Sequence, residues 1–504
     1  MKLVDLAPTI PWLSLIWLVP LATGTLVAFL PDARRQLIRT LGTLAAAVSC
    51  ALAVLVTLGY DPGGPRYQFV EQLPWLPGLG ASYLLGVDGI SLVMLLLNGV
   101  VLVAAALLSW NVAGRESSYW ALLLLLGAGA SAVFVSLDLL ILLVCYELTL
   151  LPKVLLIGGW GTTRREYAAT KLALFMMAGS ALLIAGAIAL YFGSAMRTFD
   201  LRLLGAHALF PAEFQQRWFL PLFLGFGVLA GIVPFHGWAP TGHVAAPTAA
   251  SMMLAGVMMK LGAYGCLRVA IGVLPAGAAA WLAPLAVVMA LGAVLGAALA
   301  MAQRDIKFMV AYSSIGHMAL ALLGFVSGSR TGMTGGVLQL FAHGVLTALL
   351  FGVVGRMIYD RTHTRQMAEL GGLRQVLPFA ALLFTLGGLS SMGIPGFAGF
   401  WAEFGVLLGT WERFPALALV AALAVPLTGG YTLLAISRVF FGPLPDALAG
   451  VPRLTWQEGV AGAWLATILL AVGLAPGPLT DLVAGGVAPI AEALARVAPV
   501  VPLP

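Results

Sequence analysis

The chain has 504 residues, 61% of them hydrophobic and only 9% charged, with a formal net charge of +6. Soluble domains carry roughly 25% charged residues, and no water-soluble core could hide this much apolar side chain. A soluble globular protein is therefore excluded, and the small charge excess reads as membrane topology rather than as a nucleic-acid or acidic-partner surface.

Apolar runs of about 18 to 25 residues recur from end to end, each long enough to cross roughly 30 Å of hydrocarbon. In chain order they fall near 10–30, 38–59, 89–110, 119–136, 138–158, 168–192, 218–236, 248–272, 279–301, 307–326, 335–358, 376–409, 415–437 and 459–476, about fourteen spans. In lipid the backbone must satisfy itself, so these are helices. With the N-terminus outside, the inside loops carry Arg34, Arg35, Arg39, Arg115, Arg164, Arg165, Arg304, Lys307, Arg361, Arg365, Arg374, Arg438 and Arg453. The outside segments carry fewer: Lys2, Arg66, Arg197, Arg202, Arg217, Arg330, Arg413 and Arg496. That bias follows the positive-inside rule, with both termini outside. The first apolar stretch is long and reads as a retained span, not a cleaved signal.

No soluble domain interrupts the helices. The polar segments 60–80 and 193–217 read as short outer caps, and the tail after Pro476 as a surface-lying amphipathic helix. Two spans carry breakers in their middle, Gly231-Ile232-Val233-Pro234-Phe235-His236 and Gly393-Ile394-Pro395-Gly396-Phe397. Proline inside a helix removes a hydrogen bond and clashes with the preceding turn, so discontinuous helices are expected near Pro234 and Pro395. The two breaks lie about five spans apart, an odd offset that sets them in opposite orientations, as in inverted repeats of transporters. The expected fold is all-α integral membrane, with N-terminal helices over 1–110, two inverted five-helix repeats over 111–275 and 276–440, and a C-terminal helix and tail over 441–504.

An ionisable group inside a span costs at least about 2.5–3.5 kcal/mol on insertion scales, and it marks function by default. Glu147, Lys260, His317, His343 and Glu403 lie in predicted spans. Lys171 stands near a span end and reads equally as snorkelling. Lys307 follows Asp305 at a helix start, where solvation is as good a reading as a relay. His363 reads as solvated, and Asp88 and Asp138 as helix caps. A chain of buried acids and bases, wetted through broken helices, is a physical recipe for proton relay. Cys50, Cys145 and Cys266 form no Cys-x-x-Cys pair, against a disulfide framework, a zinc site or a cysteine-bound cluster. Gly225-x-Gly227-x-x-Ala230 and Gly127-x-Gly129-x-x-Ala132 follow no strand and read as close helix packing. No hydrolase motif or metal site is expected.

Several blocks together resemble a known family. They are Leu85-Gly86-Val87-Asp88-Gly89-Ile90-Ser91-Leu92; Val135 to Leu140 with Tyr146-Glu147-Leu148 and Leu151-Pro152; and Pro234-Phe235-His236-Gly237-Trp238-Ala239-Pro240 through His243 and Ala246-Pro247-Thr248-Ala249. Further matches are Lys260-Leu261-Gly262-Ala263-Tyr264-Gly265, Asp305-Ile306-Lys307 with His317-Met318, Gln339 with His343-Gly344, Asp360 to Arg365, and Phe400-Trp401-Ala402-Glu403-Phe404. Over roughly residues 80–440 the pattern is similar to the antiporter-like membrane subunits of complex I (NADH-quinone oxidoreductase), and within them to subunit M, or chain 4.

The resemblance implies a proton-translocating subunit that couples quinone reduction elsewhere in the complex to pumping. It implies no cofactor in this chain, neighbouring antiporter-like membrane subunits as partners, and a bacterial inner membrane or, in a cyanobacterium or plastid, a thylakoid. The alternative is a subunit of a multisubunit cation/proton antiporter, which shares the central block. Glu147, Lys260, Glu403, His343 and Lys307 match family functional positions; His317, Lys171 and His236 join the candidates. One position departs. The family has a lysine five residues before the break proline, where this sequence has Leu229. It also has an unusual Lys153, six residues after Glu147. Lys153 is the candidate replacement, although six residues turn a helix by about 240°; the rival reading is an impaired channel in a partly structural subunit.

Overall fold

The computed structural model describes residues 10–205 and 210–497. Among these residues thirteen helices are long and apolar enough to cross a membrane, and two shorter apolar helices, Trp12–Ala28 and Pro378–Ser391, accompany them. Setting aside Gly477–Val497 and adding the two shorter ones gives fourteen spans, as the hydropathy predicts.

The chain begins with α1 (Trp12–Ala28) and α2 (Arg35–Gly59), then a β-hairpin of β1 (Gln68–Leu76) and β2 (Ala81–Val87). α3 (Gly89–Leu108) and α4 (Glu116–Val135) follow, then one span divided at Thr149 into α5 (Leu139–Leu148) and α6 (Leu150–Trp160). Next come α7 (Arg165–Gly193) and a seventh span in two pieces, α8 (Ala212–Ala230) and α9 (Trp238–Ala245). α10 (Thr248–Ile271), α11 (Pro275–Met301), α12 (Ile306–Val326) and α13 (Arg330–Thr362) lead to a twelfth span, again in two pieces, α14 (Pro378–Ser391) and α15 (Ala398–Trp411). α16 (Pro415–Phe440), α17 (Trp456–Leu474) and α18 (Gly477–Val497) complete the chain.

Burial sorts the helices. α10 and α13 are buried on every side, and α12 and α3 nearly so, whereas α2, α7, α16 and α17 leave most of their surface open. A helix that is apolar all round belongs in the interior, and the ionisable residues on such helices are enclosed with it. The two expected discontinuities are present. α8 ends at Gly231 in the left-handed region (φ 79°), and the second break holds Gly393 (φ 65°) and Gly396 (φ 94°).

A further interruption at Thr149 was not expected. It lies three residues before Pro152, whose missing N–H leaves the Leu148 carbonyl without its helical partner. Asp88 and Asp138 cap α3 and α5, each accepting from two backbone N–H groups, as the sequence reading anticipated.

The outer cap contains more structure than its Pro/Gly-rich sequence suggests. β1 and β2 pair antiparallel, Ser82 N–H donates to Asp138 at 3.0 Å, and Glu71 accepts from the backbone N–H groups of Leu13 and Ser14. Those are orphan donors at the start of α1, so the hairpin caps that helix from a distance. The tail forms α18, which runs beside α3, α11 and α13 at the same end. Part of the second cap, 206–209, lies outside the described residues.

Candidate functional site

The buried ionisable residues form one chain through the middle of the bundle. Lys260, fully buried, stands on Met259–Gly265, a short α-helical stretch between two π-helical turns, Leu254–Met258 and Cys266–Ile271. Such π-turns inside α-helices are frequent at functional sites. The Lys260 Nζ donates to the Ala255 carbonyl and lies 2.7 Å from Nδ1 of His343 on α13. An ammonium there must donate to Nδ1, so His343 is then neutral with its proton on Nε2.

Beyond His343 the chain reaches His317 on α12. The two rings stack with centroids 5.1 Å apart and planes 12° apart. Imidazole N–H bonds lie in the ring plane, so rings stacked face to face cannot hydrogen-bond directly. His343 Nε2 is buried and has no hydrogen-bond partner among the described residues. A proton crossing here needs a bridging water or a turn of one ring.

His317 Nδ1 faces the Ser313 carbonyl at 2.9 Å, and Nε2 faces the Ser391 carbonyl at 3.2 Å and Glu403 Oε1 at 3.4 Å. These partners accept, an arrangement that suits an imidazolium beside the Glu403 carboxylate. The second helix break makes room for it: a Cβ on Gly393 would lie 2.7 Å from Glu403 Oε2.

Toward the arginine-rich end the chain continues to Lys307. Its Nζ donates to the carbonyls of Val244 (3.2 Å) and Ala246 (2.8 Å), so it is turned into the protein rather than solvated at the helix start. Lys307 also lines a cavity of about 140 Å³ with Tyr119, Thr248, Arg356, Tyr359 and Asp360. Between Lys307 and Lys260 lies His243, which the sequence reading left out of its candidates. It is fully buried, feels the charge of both lysines, stacks on Phe351 at 5.3 Å, and has neither ring nitrogen hydrogen-bonded among the described residues. Its place in the family-like Pro234-to-Ala249 block was the only sequence signal; its position between two lysines depends on tertiary packing.

The remaining candidates stand apart from this chain. Glu147, half-buried, accepts a hydrogen bond from the Ser180 hydroxyl on α7, a partner the sequence reading did not single out. Lys153 is only 2% exposed, and Glu147, six residues before it in the chain, is the charged group among the described residues whose field reaches it. Leu229 is fully enclosed among apolar neighbours. Lys171 lies 5.7 Å over the Tyr167 ring and beside Gly237, and His236 feels its charge. Both are half-buried on the flank at the first break. His363 sits in the loop after α13.

One further buried ion pair emerged only in three dimensions. Arg268, in the second π-turn of α10, holds Asp88 through two bonds of 2.6 Å and also donates to Ser91 at 2.9 Å. It ties the outer end of the Lys260 helix to the start of α3.

Comparison with known proteins agrees with this architecture. The family described as NADH:quinone oxidoreductase/Mrp antiporter, TM, matches residues 136–428. The chain is 37% identical over 448 residues to NAD(P)H-quinone oxidoreductase chain 4 2 of Microcystis aeruginosa, covering 87% of this chain and 80% of that one. It is 35% identical over 497 residues to NADH-quinone oxidoreductase subunit M of Rhodobacter capsulatus, covering 95% and 96%. A chain of respiratory complex I from Thermus thermophilus with bound NADH superposes with a TM-score of 0.88 at 31% identity, over 96% of this chain and 99% of that one. With its fourteen spans, two broken helices and a buried Lys–His–His–Glu chain, this polypeptide belongs to the NADH:quinone oxidoreductase/Mrp antiporter transmembrane family.

Proposed function

We propose that this chain is the proton-translocating subunit M of an NADH-quinone oxidoreductase, and that protons cross it along Lys307, His243, Lys260, His343, His317 and Glu403. The observation that carries the reading is the succession of buried groups from the Lys260 amine to the Glu403 carboxylate, with contacts of 2.7 Å and 3.4 Å on either side of one 5.1 Å ring stack. The cavity at Lys307 supports a proton inlet at the arginine-rich face, and the gap between the two stacked histidines supports a gate. Occupied by water, that gap conducts; emptied, it blocks.

Glu147 and Lys153 form the second charged element of this reading, with Ser180 holding the carboxylate. They take the place of the acid–lysine pair that Leu229 disrupts, and Lys171 and His236 tune the field along the same flank. Coupling of this kind needs a charged element with two states that both ends bias. Electron transfer from NADH or ferredoxin to quinone is assigned to other subunits. Neighbouring antiporter-like subunits flank the chain, in a bacterial inner membrane or a thylakoid.

The test is to purify the tagged protein in mild detergent, identify what accompanies it, and measure quinone reduction and proton uptake after reconstitution. Co-purifying quinone-reducing subunits with donor-driven proton uptake are expected. Recovery with only antiporter-type membrane proteins, exchanging cations for protons without a redox donor, would overturn the complex I assignment.

A further inference from the structure

At the arginine-rich end of the bundle, α4, α6 and α7 enclose a groove of about 450 Å³. Leu122, Val154 and Leu155 form its apolar floor, and Arg115, Ser118 and Trp160 stand on its rim. Arg115 is exposed. Its guanidinium lies 4.5 Å over the Trp160 ring and makes one hydrogen bond among the described residues, to the Gly159 carbonyl at 2.8 Å. Most of its five N–H donors are therefore uncommitted, and a stacked arginine is preorganised for phosphate.

The lining itself holds one base, Arg115, and one acid, Glu166, and the surplus positive charge comes from the adjoining loop. Arg164 and Arg165 open α7 nearby and are exposed, while Glu166 is the acid that lines the groove. Glu116, at the start of α4, is neutralised by Arg39 at 2.9 Å and Arg35 at 3.5 Å. An apolar channel between membrane helices, with a ring-stacked and largely uncommitted arginine on its rim, matches an anionic amphiphile. Basic pockets between membrane helices on the cytoplasmic side are suited to acidic lipid headgroups.

We propose that this groove binds one anionic phospholipid of the inner leaflet, its phosphate on Arg115 and Ser118 and an acyl chain along Leu122, Val154 and Leu155. The binding does not depend on the proton-translocation reading.

The experiment titrates the delipidated intact complex with phosphatidylglycerol or phosphatidylcholine and counts retained lipid by native mass spectrometry. Wild type should hold one more phosphatidylglycerol than the Arg115→Glu complex, with affinity for that lipid falling roughly tenfold. Arg115→Lys should retain it, which separates charge from misfolding. Leu155→Trp fills the floor with the rim intact and should lower retention of both lipids. Equal phosphatidylglycerol retention by wild type and Arg115→Glu overturns the proposal. So does efficient cross-linking of Leu155→Cys to a neighbouring subunit, since a protein helix would then occupy the groove.

Discussion

The Lys260 amine stands 2.7 Å from Nδ1 of His343, between two helices that are buried on every side. With no carboxylate in contact among the described residues, the histidine is the side chain positioned to take the lysine's proton. Lys260→Met keeps an unbranched side chain, one atom shorter, and removes the proton. Donor-driven proton uptake by reconstituted complex should fall on the order of 10²-fold, with normal assembly. Unchanged uptake would remove Lys260 from the path.

Glu403 supplies the anion beside His317, whereas Ser313 offers its carbonyl oxygen and Ser391 its carbonyl and its hydroxyl. Glu403→Gln preserves an acceptor and the packing but abolishes the charge. Proton uptake should be strongly impaired while the complex stays intact on a native gel. Loss of the complex instead would make Glu403 a structural residue.

Lys153 and Glu147 act on each other electrostatically without a direct contact shorter than 4 Å. If they work as a pair, Lys153→Met and Glu147→Gln each lower proton uptake, and the double variant is no worse than the more damaging single one. Independent sites would instead give additive losses. Leu229→Lys added to Lys153→Met should restore part of the activity. Full activity of Lys153→Met alone would remove the residue from the mechanism.

Gly393 has a left-handed backbone (φ 65°) and faces the Glu403 carboxylate, which a Cβ would approach to 2.7 Å. Gly393→Ala should cost about 1–2 kcal/mol from backbone conformation alone, and it should also displace the carboxylate. A lower melting temperature together with reduced proton uptake is expected; an unaltered melting curve would show that the break relaxes freely.

Glu71 lies in the outer hairpin and accepts from Leu13 N–H at 2.7 Å and Ser14 N–H at 3.1 Å. Burial raises its carboxyl above the ordinary value of 4.5. The folded hairpin then binds more protons than the undocked one, so its docking is strongest below 4.5 and weakens as pH rises from there through the raised folded value. Glu71→Gln should abolish this dependence. Amide exchange at Leu13 and Ser14, compared between wild type and variant from about pH 4 to 8, reads it directly; parallel curves would refute it.

The spans, both proline breaks and the Asp88 and Asp138 caps were legible in the sequence because each follows from a local rule: bilayer thickness, proline's missing N–H, or an aspartate one residue before a helix. Of the buried charges, only their presence and depth along each span could be read from the sequence. Packing decided the rest. Lys260 and His343 are 83 residues apart, and they meet only because α10 and α13 present matching faces. His243 gained its place between Lys260 and Lys307 through the turn of α9 after the first break, and Lys171 and His236 fell on the flank instead. The π-turns around Lys260 and the cap from Glu71 to α1 left no periodic trace. Hydropathy determines how deep a side chain sits, but the rotation of each helix about its axis is set by its neighbours, and that rotation decides which buried acid faces which base.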